Sequence, residues 1–174
     1  MENHFDLPPS PWVQRWVGWI RPGGAVLDVA CGSGRHSRLL ARLGFEVDAV
    51  DRDPALFAEP PPRVSLRGAD LEGGPWPYAG RRFDGIVVTH YLHRPLLPVL
   101  AGSLEDGGIL IYETFARGNE RFGKPSNPAF LLAAGELLEA VAGRLEVIAY
   151  ENLVVEQPRP AAIQRICARY SPSR

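Results

Sequence analysis

The sequence predicts an α/β fold built on a largely parallel sheet. Three observations carry that reading. Apolar runs of strand length alternate with stretches of helical periodicity, the first such run ends in a glycine-rich turn that leads straight into a helix, and there is neither an internal repeat nor a linker long enough to divide the chain. At 174 residues, with 45% apolar and 22% charged residues, the chain has the length of one domain and the apolar content for a core. Residues 1–174 are read as one domain, with 1–24 its N-terminal helix and lead-in.

The first helix is expected to begin at Ser10, a good N-cap, with Pro11 in the first helical position. Trp12, Trp16 and Trp19 then share one face, a stripe that packs on the core or covers a ligand. Ala25 to Val29 reads as a buried strand, followed by a glycine turn and a helix to Leu43 that Gly44 closes. Strands are expected at Glu46 to Val50, Val64 to Arg67 and Phe83 to Val88, with 71–82 as loop. Leu96 to Leu104 carries helical periodicity. Asp106, Gly107 and Gly108 read as a turn before a fifth strand, Ile109 to Glu113. A polar loop over 116–128 precedes a helix from Glu136 to about Ala142, stopped by Gly143. Leu145 to Tyr150 and Ile163 to Tyr170 are the last two strands, with a hairpin turn near Gln157 to Pro160.

The chemistry concentrates at the first turn, VLDVACGSGRHSRLLARL over 26–43. Glycines there let the backbone turn sharply and let a ligand approach the peptide, while the helix start presents unpaired N–H groups. Dinucleotide enzymes use such a turn with a third glycine, but Ser37 stands in that place. The second strand runs into Asp51, where an acid can accept hydrogen bonds from both hydroxyls of a ribose.

Asp28-Val29-Ala30-Cys31-Gly32-Ser33-Gly34 resembles the first motif of the class I S-adenosylmethionine-dependent methyltransferases, with Ala30 in the first glycine position. The following Gly34-Arg35-His36 is similar to that of the small tellurite-resistance-like methyltransferases. The resemblance extends through Asp51, Asp70 and the strand at Phe83. It implies a Rossmann-like, doubly wound, seven-stranded, mostly parallel sheet with an antiparallel C-terminal strand. It also implies S-adenosyl-L-methionine as cofactor, held around Asp28, Ala30, Cys31, Gly32, Gly34, Asp51, Arg52, Asp70, Leu71 and Thr89. In that scheme Asp51 takes the ribose and Asp70 the exocyclic amine of adenine, with a turn-forming role as the lesser alternative for Asp70. Cys31 reads as a small packing residue, and Arg35 and Arg38 as solvated helix residues.

A methyl acceptor is expected at the C-terminal edge of the sheet, where the fourth strand delivers Thr89, His90, Tyr91 and His93. The sequence THYLH lacks the Pro-Pro-Tyr of amino-methylating enzymes, and His90 with His93 has no evident third ligand, so no metal is expected. His90 and Tyr91 are the candidates to act on the acceptor, His90 as a base or as a strand-end hydrogen-bonding group. The loop after the fifth strand, FARGNERFGKPSNP, holds the chain's single lysine, Lys124, and is expected to close from Arg117 to Lys124 over a small, anionic acceptor.

A net charge of −1 argues against a nucleic-acid partner. Cys31 and Cys167 read as reduced thiols, the opening residues show no signal peptide, and no apolar stretch reaches the length of a membrane span. A cytoplasmic enzyme acting on a small molecule is expected, its oligomeric state unread. Two alternatives stay open: a nicotinamide-dependent oxidoreductase on the same kind of sheet, and a non-catalytic cofactor-binding or interaction domain.

Overall fold

The computed structural model describes residues 7–172. The reading of the opening residues as lacking a signal peptide falls largely on 1–6, outside the described residues.

Strands β1 (Ala25–Val29), β2 (Glu46–Asp51), β3 (Val64–Gly68), β4 (Phe83–Thr89), β5 (Leu104–Phe115), β6 (Glu146–Val155) and β7 (Ala161–Arg169) form one sheet in the order β3-β2-β1-β4-β5-β7-β6. β1 through β5 pair in parallel, and β7 lies antiparallel between β5 and β6. The sheet is thus seven-stranded and mostly parallel, with its antiparallel member inserted one place in from the edge.

Both faces of the sheet are covered, so its central strands read as continuous apolar runs. The period of two divides them. Val26, Val87, Ile109, Ile111 and Cys167 pack with Trp12, Val13 and Leu40 on one side. Leu27, Ile86, Leu110, Tyr112 and Ile166 pack with Leu100, Leu137 and Val141 on the other. Helices α1 (Pro11–Trp16) and α2 (Arg35–Arg42) supply the first layer, and α3 (Leu97–Gly102) and α4 (Glu136–Val141) the second.

Ser10 caps α1, its Oγ accepting from the backbone N–H groups of Trp12 and Val13. The helix is shorter than the tryptophan spacing suggests, because Val17–Trp19 tightens into a 3-10 turn. The stripe therefore fans outward: Trp12 is buried, Trp16 half-buried and Trp19 49% exposed, in an edge-to-face chain. Trp12 Nε1 donates to the Ile166 carbonyl at 3.1 Å, which fixes the stripe as core packing over β7.

The turn expected at Asp106 to Gly108 is a bulge within β5. Pairing with β4 jumps from Phe83–Leu104 to Gly85–Ile109, and the extra residues curl back so that Gly107 N–H donates to the Tyr170 carbonyl at 2.8 Å. A side chain at Gly108 would meet the carbonyls of Glu105 and Phe83.

Candidate cofactor and acceptor site

Four cavities line the C-terminal edge of the parallel strands, and the glycine turn separates two of them. Asp28, next to last in β1, is buried beneath the turn and accepts from Ser37 Oγ at 2.6 Å. Burial raises its pKa from 3.8 to about 6, against the lowering effect of the Ser37 bond. Asp28 borders none of the cavities described below; it ties β1 to α2.

Above it, Ala30, Gly32 and Gly34 all adopt positive φ, at 53°, 54° and 83°. The turn coils back so that Gly34 N–H donates to the Cys31 carbonyl, and Gly32 N–H donates to Asp51 Oδ2 at 2.8 Å. Asp51 Oδ1 accepts from Asp53 N–H at 2.9 Å. The carboxylate at the end of β2 is thereby oriented by backbone donors from two loops. A side chain at Gly34 would run into the Phe57 ring, so this glycine packs the turn against its neighbour and stands off the cavity walls.

On one side of the turn, Ala30, Asp51, Arg52, Ala69, Asp70, Leu71, Glu72 and Tyr91 enclose about 190 Å³. Asp70 is exposed there, and its Oδ1 accepts from the N–H groups of Glu72 and Gly73. These bonds hold its carboxyl below the usual range. It is a turn-forming aspartate that also borders the cavity.

On the other side, Leu7, Ala30, Cys31, Gly32, Ser33, Arg35, His36, Leu56, Thr89 and His90 enclose about 240 Å³. Cys31 packs here with its thiol pushed up by burial, which removes it as a nucleophile. Arg35 corrects the sequence reading. It is half-buried rather than solvated, borders this cavity, and donates through Nη1 to the Pro8 carbonyl at 2.8 Å. His36 is buried; its Nε2 accepts from Ser10 N–H and its Nδ1 faces Thr89 Oγ1 at 3.3 Å. Nothing in the residue types foretold that His36 joins α1, α2 and β4. The spacing within the GRH segment was the sole available signal.

This arrangement fits S-adenosylmethionine. The paired cavities meet at Ala30, one walled by carboxylates and apolar groups suited to a nucleoside, the other by Arg35 and the start of α2 suited to an amino-acid carboxylate.

The third cavity, about 620 Å³, lies between the ends of β4 and β5. His90 and Tyr91 border it with Thr114 and Phe115 from β5, Lys124 to Asn127 and Phe130 from the following loop, Arg159 from the β6–β7 turn, and Glu72. His90 sits at φ 52° and stacks on Phe115 with ring centroids 4.7 Å apart. A non-glycine residue in the left-handed region at the end of a strand is held there by its surroundings; here His90 N–H donates to the Glu113 carbonyl. Tyr91 Oη donates to Glu72 Oε1 at 3.4 Å, and both residues border the nucleoside-side cavity as well. His93 borders neither of these cavities. Among the described residues no group of three or more His, Cys, Asp or Glu is placed to hold a metal ion.

The loop expected to close from Arg117 to Lys124 divides differently. Its first part is pinned: Arg117 N–H donates to the Leu132 carbonyl, and buried Asn119 donates to the Pro125 carbonyl and accepts from Ala162 N–H. The part that borders the cavity is Lys124 to Asn127. Arg94 holds the loop's far end through the carbonyls of Ala129 and Leu131 and the Glu136 carboxylate.

Residues 26–108 match the methyltransferase domain family. The chain is 33% identical over 100 residues to a ribosomal protein L11 methyltransferase of Nitratiruptor, covering 53% of this chain and 35% of that one. The fold is that of TehB from Haemophilus influenzae, at 18% identity with 92% of this chain and 61% of that chain covered and a TM-score of 0.70. It is equally that of a TehB-like S-adenosylmethionine-dependent methyltransferase from Corynebacterium glutamicum, at 21% identity, 92% and 88% coverage and a TM-score of 0.67. By domain match and fold this chain resembles the class I S-adenosylmethionine-dependent methyltransferases, the TehB-like members among them. The chain spans about a third to a half of the length of the curated relatives it matches. Among the described residues no helix is long and apolar enough to cross a membrane.

Proposed function

We propose that this chain methylates a small acceptor bound in the 620 Å³ cavity between β4 and β5. The observation that carries the reading is the position of His90, which borders both that cavity and the one beside Arg35 and the glycine turn. A group held against His90 therefore lies next to the methionine end of the cofactor.

S-adenosylmethionine supplies an already activated methyl group on its sulfonium. The protein's work is then alignment and exclusion of water. Asp51 receives the ribose, Arg52 and Leu71 flank the nucleoside, and Asp70 borders the adenine end. The Ser33 N–H just ahead of α2, with Arg35, receives the carboxylate, while the Cys31 and Gly32 N–H groups hold the turn to Val50 and Asp51. Thr89 and His90 form the wall between cofactor and acceptor. Where the acceptor loses a proton, the His90 imidazole takes it; Tyr91, hydrogen-bonded to Glu72, orients the acceptor from the opposite side. Lys124 and Arg159 at the cavity rim favour an anionic acceptor. An enclosure of this size, with a chain net charge of −1, supports a small molecule over a nucleic acid.

The experiment is in two parts. Calorimetric titration with S-adenosylhomocysteine, and with NAD as control, tests the cofactor. Incubating the enzyme and S-adenosylmethionine with fractionated metabolite extract, followed by mass spectrometry, tests transfer. Cofactor binding with no methylated small molecule, or efficient methylation of bulk RNA or DNA, overturns the acceptor reading.

A further inference from the structure

A fourth cavity, about 690 Å³, runs between the segment before α1 and the β6–β7 hairpin. It shares His90, Phe115 and Arg159 with the acceptor cavity, so the two adjoin at the His90–Phe115 stack. Resting on the acceptor reading above, we infer that this groove is a second subsite, which takes an extended apolar arm of the acceptor whose polar end lies near Lys124.

The walls argue for an apolar occupant. Leu7, Pro9 and Pro11 line the groove with Leu153, Val155 and Ile163, which share the α1 face of the sheet. Leu153, beside Ile163 on that face, is 36% exposed, an aliphatic side chain left open to the cleft.

The floor argues against a charged occupant. Of the five ionic side chains that line the groove, Glu156 and Arg159 sit on the β6–β7 hairpin, and Arg35, Glu113 and Arg165 beneath are engaged within the protein. Arg165 Nη1 donates to Glu113 Oε2 at 3.2 Å, and its Nε donates to Glu151 Oε2 at 2.7 Å. Glu113 Oε1 accepts from Ser10 Oγ at 2.9 Å, and Arg35 holds the Pro8 carbonyl. The Arg165 guanidinium also stacks over the Trp12 ring. A floor whose ionic groups are hydrogen-bonded within the protein can lie under an apolar chain without demanding a counter-ion. The cation that distinguishes the other cavity, Lys124, does not border this one. The adjoining pair is therefore cationic toward Lys124 and the shared Arg159 and apolar toward Leu7 and Leu153, the complement of an anionic amphiphile.

Straight-chain alkanoates from butanoate to dodecanoate, titrated below their micellar concentrations into enzyme saturated with S-adenosylhomocysteine, test this directly. Affinity should tighten about threefold to fourfold for each added methylene until the groove is filled, then level off. Leu153→Asp, an exposed position in the wall, should flatten the dependence on chain length while leaving S-adenosylhomocysteine affinity unchanged. Ala161→Phe, which narrows the groove from β7, should shorten the longest chain accepted. A response independent of chain length, no alkanoate binding at all, or an intact dependence in Leu153→Asp overturns the subsite. Binding of S-adenosylhomocysteine in the same samples reports separately on the cofactor reading: retained cofactor binding with a flat alkanoate response refutes the groove alone.

Discussion

His36 Nε2 accepts the backbone N–H of Ser10 at 2.9 Å, joining the cap of α1 to the helix that begins at the glycine turn. An imidazole that accepts at Nε2 carries its proton at Nδ1, which then donates to Thr89 Oγ1. Ser10 in turn donates through Oγ to Glu113. One neutral histidine thus fixes the segment that covers the Arg35 side of the cofactor cavity relative to the ends of β4 and β5. His36→Ala leaves a buried N–H unpartnered and should cost about 1–3 kcal/mol of stability, measured by urea unfolding. It should also speed amide exchange at Ser10 and Trp12. Unchanged exchange there would refute the strap.

The same histidine sets an acid limit. Burial first, then the charges of Arg35 and His90, lower its pKa from 6.5 to about 3. The unfolded chain takes up a proton at this site as pH falls through about 6.5, and the native chain does so only near 3. Stability is therefore present above about pH 6.5 and is lost progressively as pH falls toward about 3. His36→Gln should flatten that acid limb in denaturation curves taken across the range; an unaltered limb excludes His36 as its source.

Asp28 works in the opposite sense. Its native pKa, about 6, lies above the unfolded 3.8, so the native state holds a proton that the unfolded chain releases. This contribution is fully present below about pH 4 and is lost as pH rises through about 6. At neutral pH the buried carboxylate is a burden of about 2–3 kcal/mol, to order of magnitude. Asp28→Asn keeps an acceptor for Ser37 and should gain stability relative to wild type at pH 7 more than at pH 4. Equal effects at both values would refute the burial account.

Ala30 carries strain that its sequence did not disclose. With φ at 53° it occupies the left-handed region, at a cost to a non-glycine residue of about 1–2 kcal/mol. Ala30→Gly relieves this, offset by about 0.4–1 kcal/mol of extra unfolded-state entropy. The net expectation is a modest stabilisation, seen as a midpoint about 1–3 °C higher in thermal unfolding. A lower midpoint would mean that the turn relaxes differently from the geometry described.

Such strain explains where sequence reading stopped. The start of α1 at Ser10–Pro11 and all of β1 were legible because caps and apolar runs are local signals. The bulge in β5 was not, since Asp106-Gly107-Gly108 has the composition of a turn and only pairing with β4 and Tyr170 shows that the strand continues. At the site, Asp51 was legible from the strand that leads to it. Arg35 and His36 were misjudged or passed over, because their burial depends on residues 7–10 folding back across α2, a contact of long sequence separation. Lys124 was singled out by composition and does border the acceptor cavity, but the loop's anchorage by Asn119 rests on contacts with β7 that no local pattern encodes.

Asp51→Ala removes the acceptor for Gly32 N–H as well as the proposed ribose partner. S-adenosylhomocysteine affinity should fall about tenfold to a hundredfold, or about 1.5–3 kcal/mol. Asp51→Asn retains an oxygen for the turn and separates the two roles. Affinity near wild type in both variants would refute the ribose assignment.

Lys124 gives the sharpest separation between the two halves of the site. It borders the acceptor cavity and neither cofactor cavity. Its neighbours are held by other groups, since Pro125 receives the Asn119 amide and Asn127 caps the next turn through the Ala129 N–H. Truncating an exposed side chain on so well anchored a loop should leave the fold intact. Lys124→Ala should therefore keep S-adenosylhomocysteine affinity within about 0.5 kcal/mol of wild type, as for independent sites. It should raise KM for an anionic acceptor, with the loss largest at low ionic strength, where an exposed charge is least screened. Lys124→Arg restores the charge but presents a wider, planar group. If arginine supports full turnover, charge alone is what the cavity needs at this position. If arginine fails while cofactor binding holds, the compact ammonium is read by shape. Transfer unchanged in Lys124→Ala would remove the loop from acceptor recognition and leave His90, Tyr91 and Glu72 as the groups that orient the acceptor.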